Sequence, residues 1–365
     1  MGNDIVDRAF VALVALACAT GAAGAATTPT AGNAAAPAPV EYKIVTASER
    51  GTYIQIGRDL ARFVAPDAGI KLEVLPSAGS AENVRRLRYE PGVKLAMVQS
   101  DVYQAFLDQA AAGNAEAGDM IRPLRVVTPL YNEEIYFVVR ADSPLNYVHE
   151  IRGARINTGP VGSGTALTTT TLYRLMFGEP IPDNNATFLS NEDALARLVT
   201  DKSVDVVAII AGQPAKLLTD MKPESRKYIK LLKFDAKDAT AKAALQTYFP
   251  ATVLAKNYPN LLTEDLPALA VRAYLVTYDY NLPDTREHLS QLVRAMCRDY
   301  SQLQSSGHPK WREVELAMPG LGKGWRYYGP TASEIRACVA AHAQPAKAVR
   351  RSCTQQEHVL GLCGA

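Results

Sequence analysis

Segments that favour strands alternate with segments that favour helices from about Glu41 onward, and this alternation constrains the fold more than any other feature. YKIVTA, KLEVLPS and VKLAMVQS have the composition of short buried strands, and apolar residues at helical spacing follow each of them. The order restarts near Ile135 with ARINTG, NATFLS, VDVVAII and YIKLLKF. Strands separated by helices predict parallel sheets with crossover helices. The sequence therefore predicts an α/β fold with two similar lobes rather than one sheet.

The boundaries of the lobes follow from the restart and from what comes after it. LRVVTPL and EEIYFVVRA predict two strands a few residues apart, and RAYLVTYDYN predicts another near the C-terminus. Apolar residues from Leu289 to Leu303 recur at helical spacing, which predicts one amphipathic helix with a core-facing stripe. We expect hinges where the chain crosses between lobes, around 133–139 and 234–250. The predicted lobes are 41–134 plus 248–330 for lobe 1 and 135–247 for lobe 2.

The N-terminus has the pattern of an export signal. AFVALVALACA follows Arg8, and it is shorter than the roughly 20 apolar residues that span a bilayer. Small residues follow, and AGA at 23–25 fits a secretory cleavage site. We predict a cleaved signal peptide at 1–25, a disordered Ala- and Pro-rich tether at 26–40, and a periplasmic protein. Acidic residues near the start depart from the usual positive charge, so lipidation at Cys18 and a short buried helix stay open as alternatives.

Cysteine usage agrees with export. Cleavage would leave four cysteines, and an even number in an oxidising compartment allows two disulfides with three possible connectivities. Their position suggests that disulfides attach a C-terminal tail, at 331–365, to the rest of the chain. No CxxC motif or close histidine pair accompanies them, so we expect neither a metal site nor a cofactor. The disulfide candidates are Cys297, Cys338, Cys353 and Cys363.

The overall charge excludes one class of partner. The chain has 39 basic and 37 acidic residues, a formal net charge of +2, with 48% hydrophobic and 21% charged residues. This is the composition of a globular protein without a bulk electrostatic attraction to nucleic acid. We therefore expect no nucleic-acid partner. The partner that we expect is a small anionic or zwitterionic solute, and we expect the protein to be a monomer.

The loops after the predicted strands share a composition that favours anion binding. They read TASERGTY, PSAGSAEN, QSD, TGPVGSGT and AGQP, and three of the five combine glycine with serine or threonine. Ligands of open α/β sheets bind beyond the carboxyl ends of the strands. Backbone N–H groups and hydroxyls at helix N-termini hold a carboxylate without a charged side chain. In the fourth loop we assign this role to 162–165; the alternative is that its glycines only turn the chain and Ser163 only caps the helix.

Enzyme motifs are not matched. No lysine follows Gly164, as a Walker A loop requires, and Leu167 and Val161 occupy positions where the dinucleotide fingerprint and the nucleophile elbow need glycine. The pair Glu133-Glu134 could suggest acid–base chemistry, but a solvated or interlobe segment explains it more simply. We therefore do not expect an enzyme.

The same segments, in this order, resemble a known family. TASERGTYIQIGRDLARF, PSAGSAENVRRL, LAMVQSDV, EEIYFVVRADSP, INTGPVGSGT and FPATVLAKNYPNLLTEDLPALAVRAYLVT are similar to the TAXI-type solute receptors of tripartite ATP-independent periplasmic (TRAP) transporters, over about 41–328. The resemblance implies a type II periplasmic-binding-protein fold with a cleft between two lobes. It also implies delivery of a small organic anion or an amino acid such as glutamate to a TRAP permease in the membrane.

The resemblance also implies which residues bind the ligand. Residues 46, 51 and 53 keep the frame of the family's first loop, whereas 47, 48 and 54 depart from it. Gln99 and Ser100 would face the ligand, and Asp101 would cap the next helix. The complete predicted set is Thr46, Ser48, Arg50, Gly51, Tyr53, Ser80, Asn83, Gln99, Ser100, Gly162, Ser163, Gly164, Thr165, Gly212 and Gln213.

Two other functions remain open at this point. One is a stand-alone receptor for signalling or adhesion, which would use the same cleft. The other is an enzyme on the same scaffold, which would need a catalytic base in the cleft. The loops after the strands offer only Glu49, Glu82 and Asp101 for that role.

Overall fold

The structure, a computed structural model, describes residues 38–49, 51–322 and 324–343. The predicted signal peptide, most of the predicted tether, Arg50, Cys353 and Cys363 lie outside these residues. Within the described part, no helix is long and apolar enough to cross a membrane.

Ten strands and eleven α-helices make up the described chain. The strands are β1 Val40–Val45, β2 Ile70–Leu75, β3 Val93–Gln99, β4 Leu124–Arg140, β5 Ile156–Asn157, β6 Ala186–Thr187, β7 Val206–Ala211, β8 Ile229–Leu231, β9 Phe249–Val253 and β10 Leu266–Tyr278. The helices are α1 Thr52–Asp59, α2 Ser80–Tyr89, α3 Val102–Ala111, α4 Ala115–Ile121, α5 Gly164–Phe177, α6 Asn191–Val199, α7 Lys216–Thr219, α8 Ala241–Ala244, α9 Pro283–Arg298, α10 Tyr300–Ser306 and α11 Gly329–Ala343. A π-helical turn at Leu60–Val64 continues α1, and 3₁₀ turns lie at Pro66–Ala68, Val148–Glu150, Asp183–Asn185, Pro223–Lys227, Ala255–Asn257 and Pro309–Glu313.

The same strand order occurs twice, but within one ten-stranded sheet that both halves share, so the expectation that the lobes do not form one sheet was wrong. The order is β2-β1-β3-β10-β4-β7-β5-β6, with β8 also beside β4 and β9 also beside β10. In the first half, β1 is parallel to β2 and β3, and β10 runs antiparallel to β3. In the second half, β5 is parallel to β6 and β7, and β4 runs antiparallel to β7 and β8. From its outer edge, each half has its second, first and third strands, which are β2, β1 and β3 in the first half and β6, β5 and β7 in the second. A strand from the other half follows, β10 or β4, and then a fourth strand, β4 or β8. This repeat confirms the predicted α/β fold with two lobes of the type II periplasmic-binding-protein kind.

Two long antiparallel strands, β4 and β10, connect the halves. The start of β4 pairs with the end of β10, from Thr128 opposite Leu275 to Leu124 opposite Tyr278. The end of β4 pairs with β7 and β8. The prediction of two separate strands here was wrong, because the polar residues 132–134 are part of β4 and pair with 270–272 of β10.

The chain returns to the first half later than the predicted boundary between 247 and 248. β9 pairs with the first five residues of β10, at 266–270. Tyr248 and Leu269 pack in a core with β5 and β7, and Val253 packs in a second core with α6. Residues 248 to about 270 therefore belong with the second half by their packing, and the return crossing lies within β10.

Each half is covered by helices on both faces of its sheet. In the first half, α9, α11 and the π-helical turn cover one face, and α2, α3 and α4 cover the other. In the second half, α5 and α8 cover one face and α6 and α7 the other. The covered strands place a row of loops at the carboxyl ends of β1, β3, β5 and β7, which is where ligands of such sheets bind.

The C-terminal elements extend the core of the first half. The predicted single helix over 289–303 ends at Arg298, and α10 begins at Tyr300. β1 begins at Val40, the last residue of the predicted tether, where the backbone N–H donates to the carbonyl oxygen of Gly69 at 2.9 Å. Residues 329–343, mostly within the predicted tail, form α11, whose Ile335 packs in the same core as α9.

One of the predicted disulfides joins these helices. Cys297 of α9 is bonded to Cys338 of α11 across a sequence separation of 41 residues. The other two candidates, Cys353 and Cys363, lie outside the described residues. The bond fixes α11 to the first half of the sheet.

We expect the Cys297→Ser/Cys338→Ser double variant to lose about 2–4 kcal/mol of unfolding free energy, because the bond restricts the unfolded chain. Urea denaturation measures this difference, and peptide mapping without reduction identifies the linked peptides in the native protein. A double variant as stable as the native protein would contradict this role of the disulfide.

Candidate functional site

The strand-end loops of the two halves meet face to face. A Cβ atom added to Gly79, in the loop after β2, would lie 2.8 Å from the backbone nitrogen of Gly164 at the start of α5. A Cβ atom added to Gly164 would collide with the side-chain amide of Gln99, at the end of β3. Gly162 has φ +81°, a conformation that favours glycine, and faces Ala78. The glycine positions therefore let the second-half loop approach the first half closely.

Gln99 is the centre of one buried polar network at this contact. Its backbone N–H donates to Ser80 Oγ at 3.0 Å, and its side-chain Nε2 donates to Glu133 Oε2 at 3.2 Å. Tyr53 donates its hydroxyl to the same Glu133 oxygen at 3.0 Å. Two strand-end segments of the first half, which carry Tyr53 and Gln99, thus converge on one carboxylate in the crossing strand β4.

Asp101 is the centre of a second network that joins the halves. Its Oδ2 accepts from the hydroxyls of Thr168 at 2.7 Å and Tyr248 at 2.8 Å, both from the second half. The prediction that the Asp101 side chain caps α3 was wrong. The residue has helical backbone angles, φ −81° and ψ −9°, and makes no capping hydrogen bond, whereas capping residues usually adopt extended angles.

Burial dominates the electrostatics of both carboxyl groups. It raises the pKa of Glu133 to about 7, against the opposing effect of hydrogen bonds from Tyr53 and Gln99 and of the nearby charge of Lys310. It raises the pKa of Asp101 to about 6, against the hydrogen bonds from Thr168 and Tyr248. Both carboxyl groups therefore keep their protons to a higher pH than exposed carboxyl groups do.

Glu134 and Lys310 lie next to this network, and each contacts the loop after β7. Both Glu134 oxygens accept from Gln213, at 2.8 Å from the backbone nitrogen and 3.1 Å from the side chain. Lys310 Nζ is bonded to Glu313 at 2.6 Å and to the Asn132 carbonyl at 3.2 Å. Its stem lies directly against Gly212. These contacts tie the loop after β7 to the crossing strand.

Several predicted site residues use their polar groups within their own lobe. Asn83 donates to the carbonyl oxygens of Thr46 and of Met97, the latter at 2.6 Å, and accepts from Ser77 at 2.6 Å. Thr46 donates to the Leu75 carbonyl at 2.8 Å. Gln213 also bonds to residues 252, 254 and 257, at 2.9–3.0 Å. These three shape the loops rather than present free groups.

The remaining predicted residues are placed as follows. Ser163 accepts from the Ala166 N–H at 3.0 Å, so the capping role considered as an alternative is present. The Thr165 side chain lies against Gly159. Ser100 accepts from the Arg272 N–H at 3.3 Å. Ser48 is exposed, and Gly51 precedes α1.

Four side chains at the contact were missed by sequence reasoning as site residues: Glu133, Thr168, Tyr248 and Lys310. Glu133 was set aside because the pair at 133–134 was interpreted as a solvated or interlobe segment; it is buried in the strand that crosses between the halves. Thr168 follows the loop motif by one helical turn, which was the available signal. Among the described residues, no three His, Cys, Asp or Glu side chains are grouped to hold a metal ion.

The raised pKa of Glu133 predicts how stability depends on pH. Between pH 4.5 and about 7 the folded protein holds a proton that the unfolded chain has released, so the free energy of unfolding falls as pH rises through this window. The Glu133→Gln variant has no titrating proton at this position. We expect its stability relative to the native protein to increase from pH 4.5 to pH 8, by on the order of 1–3 kcal/mol. Urea denaturation at several pH values measures the difference, and a pH-independent difference would contradict the assignment.

Solved periplasmic binding proteins resemble this chain over most of its length. The periplasmic binding protein BugD is 12% identical, with 83% of this chain and 94% of BugD covered and a TM-score of 0.46. A TctC solute binding protein from Polaromonas is 15% identical, with 83% and 96% covered and a TM-score of 0.41. The arginine-, lysine-, histidine-binding protein ArtJ from Geobacillus stearothermophilus is 14% identical, with 78% and 97% covered and a TM-score of 0.43. Similarities this low carry no information about which ligand this chain binds.

A family model matches the sequence itself. The model, described as the NMT1-like family, matches residues 44–319, which is more than half of the chain and includes every strand-end loop described above. The finer resemblance to TAXI-type receptors is not decided by this match and stays a prediction. The chain belongs to the NMT1-like family.

Proposed function

We propose that this protein is an extracytoplasmic solute-binding protein that captures a small carboxylate-bearing solute between its two halves. The observation that supports this most is the meeting of strand-end loops from both halves around buried polar side chains. A permanent core between halves would be apolar, because unpaired buried polar groups are costly. A polar contact can instead exchange its internal hydrogen bonds for hydrogen bonds to a solute.

The start of α5 is the proposed carboxylate site. α5 has fourteen residues, and its first N–H groups have no partner within the helix. The Gly164 nitrogen faces the Gly79 loop of the other half. A hydroxyl accepts and donates at once, so Ser163 can cap the helix and still donate to a carboxylate. A solute held here would lie between the halves, with Gln99 and Tyr53 on the opposite side.

Closure of the halves would couple capture to delivery. The crossing strands β4 and β10 are the only described strands shared by both halves, and an ion pair between Arg174 of α5 and Asp108 of α3 bridges the halves at the surface. Solute would stabilise the closed state by its greater affinity for that state. The closed pair of lobes would then present one joint surface to a membrane permease. We propose that this permease is of the TRAP type and that this protein is its TAXI-type receptor in the periplasm.

The Ser163→Ala/Thr165→Ala double variant tests the carboxylate site. Loss of one hydrogen bond to a charged group costs about 1.5–3 kcal/mol, so affinity for L-glutamate, the solute that the resemblance implies, should fall at least tenfold by calorimetry. Ser190→Ala is the matched control, because Ser190 caps α6 in the same way and its hydroxyl bonds only to Asp193 of that helix. It should lose stability without losing affinity. Unchanged affinity in the double variant would reject the site.

A further inference from the structure

The side-chain hydrogen bonds of Asp101 form only while the two halves are in contact. Asp101 follows β3 in the first half, and its Oδ2 accepts from Thr168 at 2.7 Å and from Tyr248 at 2.8 Å. Both donors belong to the second half, Thr168 in α5 and Tyr248 in the core beside β5 and β7. All three side chains are at most 1% exposed. Separation of the halves would therefore break both hydrogen bonds and bring the carboxyl group into water.

No cation in the described chain offsets the charge of this carboxyl group. Asp101 Oδ1 is buried with no hydrogen-bond partner, and no described basic side chain is bonded to either oxygen. Arg174, which acts on the neighbouring Tyr248, is paired with Asp108. Burial without a cation penalises an ionised carboxylate much more than a protonated one. Contact between the halves therefore favours the protonated form of Asp101.

The two hydroxyl donors can serve either protonation state of Asp101. Tyr248 Oη also lies 3.2 Å from the carbonyl oxygen of Thr168, and Thr168 Oγ1 lies 3.3 Å from Gln99 Oε1. Each hydroxyl thus has a second acceptor when Asp101 takes up a proton and accepts less strongly. The contact can keep its geometry around a neutral carboxyl group.

Glu133, the other buried carboxyl group nearby, is bonded differently. Its donors, Tyr53 and Gln99, lie in the first half, so separation of the halves does not by itself break these hydrogen bonds. Asp101 therefore differs from Glu133, because both of its donors come from the opposite half.

The remaining titratable and charged groups around Asp101 do not account for closure at lower pH. Burial raises the pKa of Tyr53 and Tyr248 well above its usual value, so both hydroxyls stay protonated. Arg174 and Asp108 attract each other across the halves while Asp108 is ionised. Acid weakens this pair, so it opposes the effect of Asp101.

We propose that Asp101 couples closure of the two halves to proton uptake, so that the closed state is favoured as pH falls from 7 to 5. In the open state the carboxyl group is in water and titrates near its ordinary pKa of 3.8, whereas burial in the closed state raises the pKa to about 6. The proton's contribution to closure is complete below pH 3.8 and is lost as pH rises through 6. The ratio of closed to open molecules should therefore be about tenfold higher at pH 5 than at pH 7. This inference rests on the closure in the proposed function and adds a regulation of it.

Small-angle X-ray scattering of the full chain tests the contact. The protein is unfolded in urea, dialysed and refolded, which removes any bound solute. Tyr248→Phe removes one donor and keeps the carboxyl group, so we expect more open molecules and a larger radius of gyration at pH 7. Tyr258→Phe is the matched control, because its hydroxyl is also buried but is bonded within the second half, to Tyr136 and to the Ala215 N–H. A radius in Tyr248→Phe equal to that of the native protein would overturn the proposal.

The pH dependence is measured in the Tyr248→Phe background at constant ionic strength. From pH 7 to pH 5 its radius of gyration should decrease, as the closed-to-open ratio rises about tenfold. Addition of Asp101→Asn should abolish this response, because an amide does not titrate, whereas addition of Glu133→Gln should keep it. A response that is absent in Tyr248→Phe, or that persists with Asp101→Asn, would overturn the proposal.

Circular dichroism establishes that each variant folds. Thr168→Val removes the other donor of Asp101 and replaces Tyr248→Phe as the background if that variant does not fold. No solute is added in these measurements. A negative result would therefore leave the carboxylate site standing, and the calorimetry of the Ser163→Ala/Thr165→Ala variant tests that site separately.

Discussion

The pairing of β4 with β10 is the constraint on which the rest of the structure depends. Both strands belong to two halves at once, so the halves have one continuous sheet rather than separate sheets joined by loops. Because the two strands are antiparallel and cross at the same place, the loops of one half are brought opposite the loops of the other. The position of every strand-end loop follows from this crossing, and so does the burial of the acidic residues within it.

Burial of polar groups at the crossing distinguishes this contact from the four apolar cores. Ionised carboxylates are retained in a protein interior only when donors or cations offset their desolvation. At Glu133 and Asp101 hydroxyl and amide donors offset part of that cost, and the raised pKa of both groups reflects the remainder. The closed contact is thus less favourable by itself than an apolar one. A solute that supplies donors would complete it, which links affinity for the solute to closure.

Local sequence pattern predicted the parts of the fold that depend on local chemistry. Alternating strands and helices predicted the two halves. Glycine with serine or threonine marked loops for which we predict anion binding, and the loops at 79 and 164 lie against each other. Tertiary pairing decided the rest. Residues 132–134 belong to a strand because 270–272 pair with them, and no local pattern reports that partner. Asp101 looks like a helix cap in sequence, but Thr168 and Tyr248 lie 67 and 147 residues away and compete for its side chain. That the predicted set of site residues binds a ligand stays a prediction.

Capture of a solute between the halves is the central claim, and native mass spectrometry of protein purified without unfolding tests it most directly. We predict a fraction of the protein that carries one small molecule per chain and releases it when the protein is unfolded by acid. The released mass should correspond to a small carboxylic acid. Only the bare mass of the chain, in preparations from cells grown in rich medium and after incubation with amino acids and organic acids, would contradict the account.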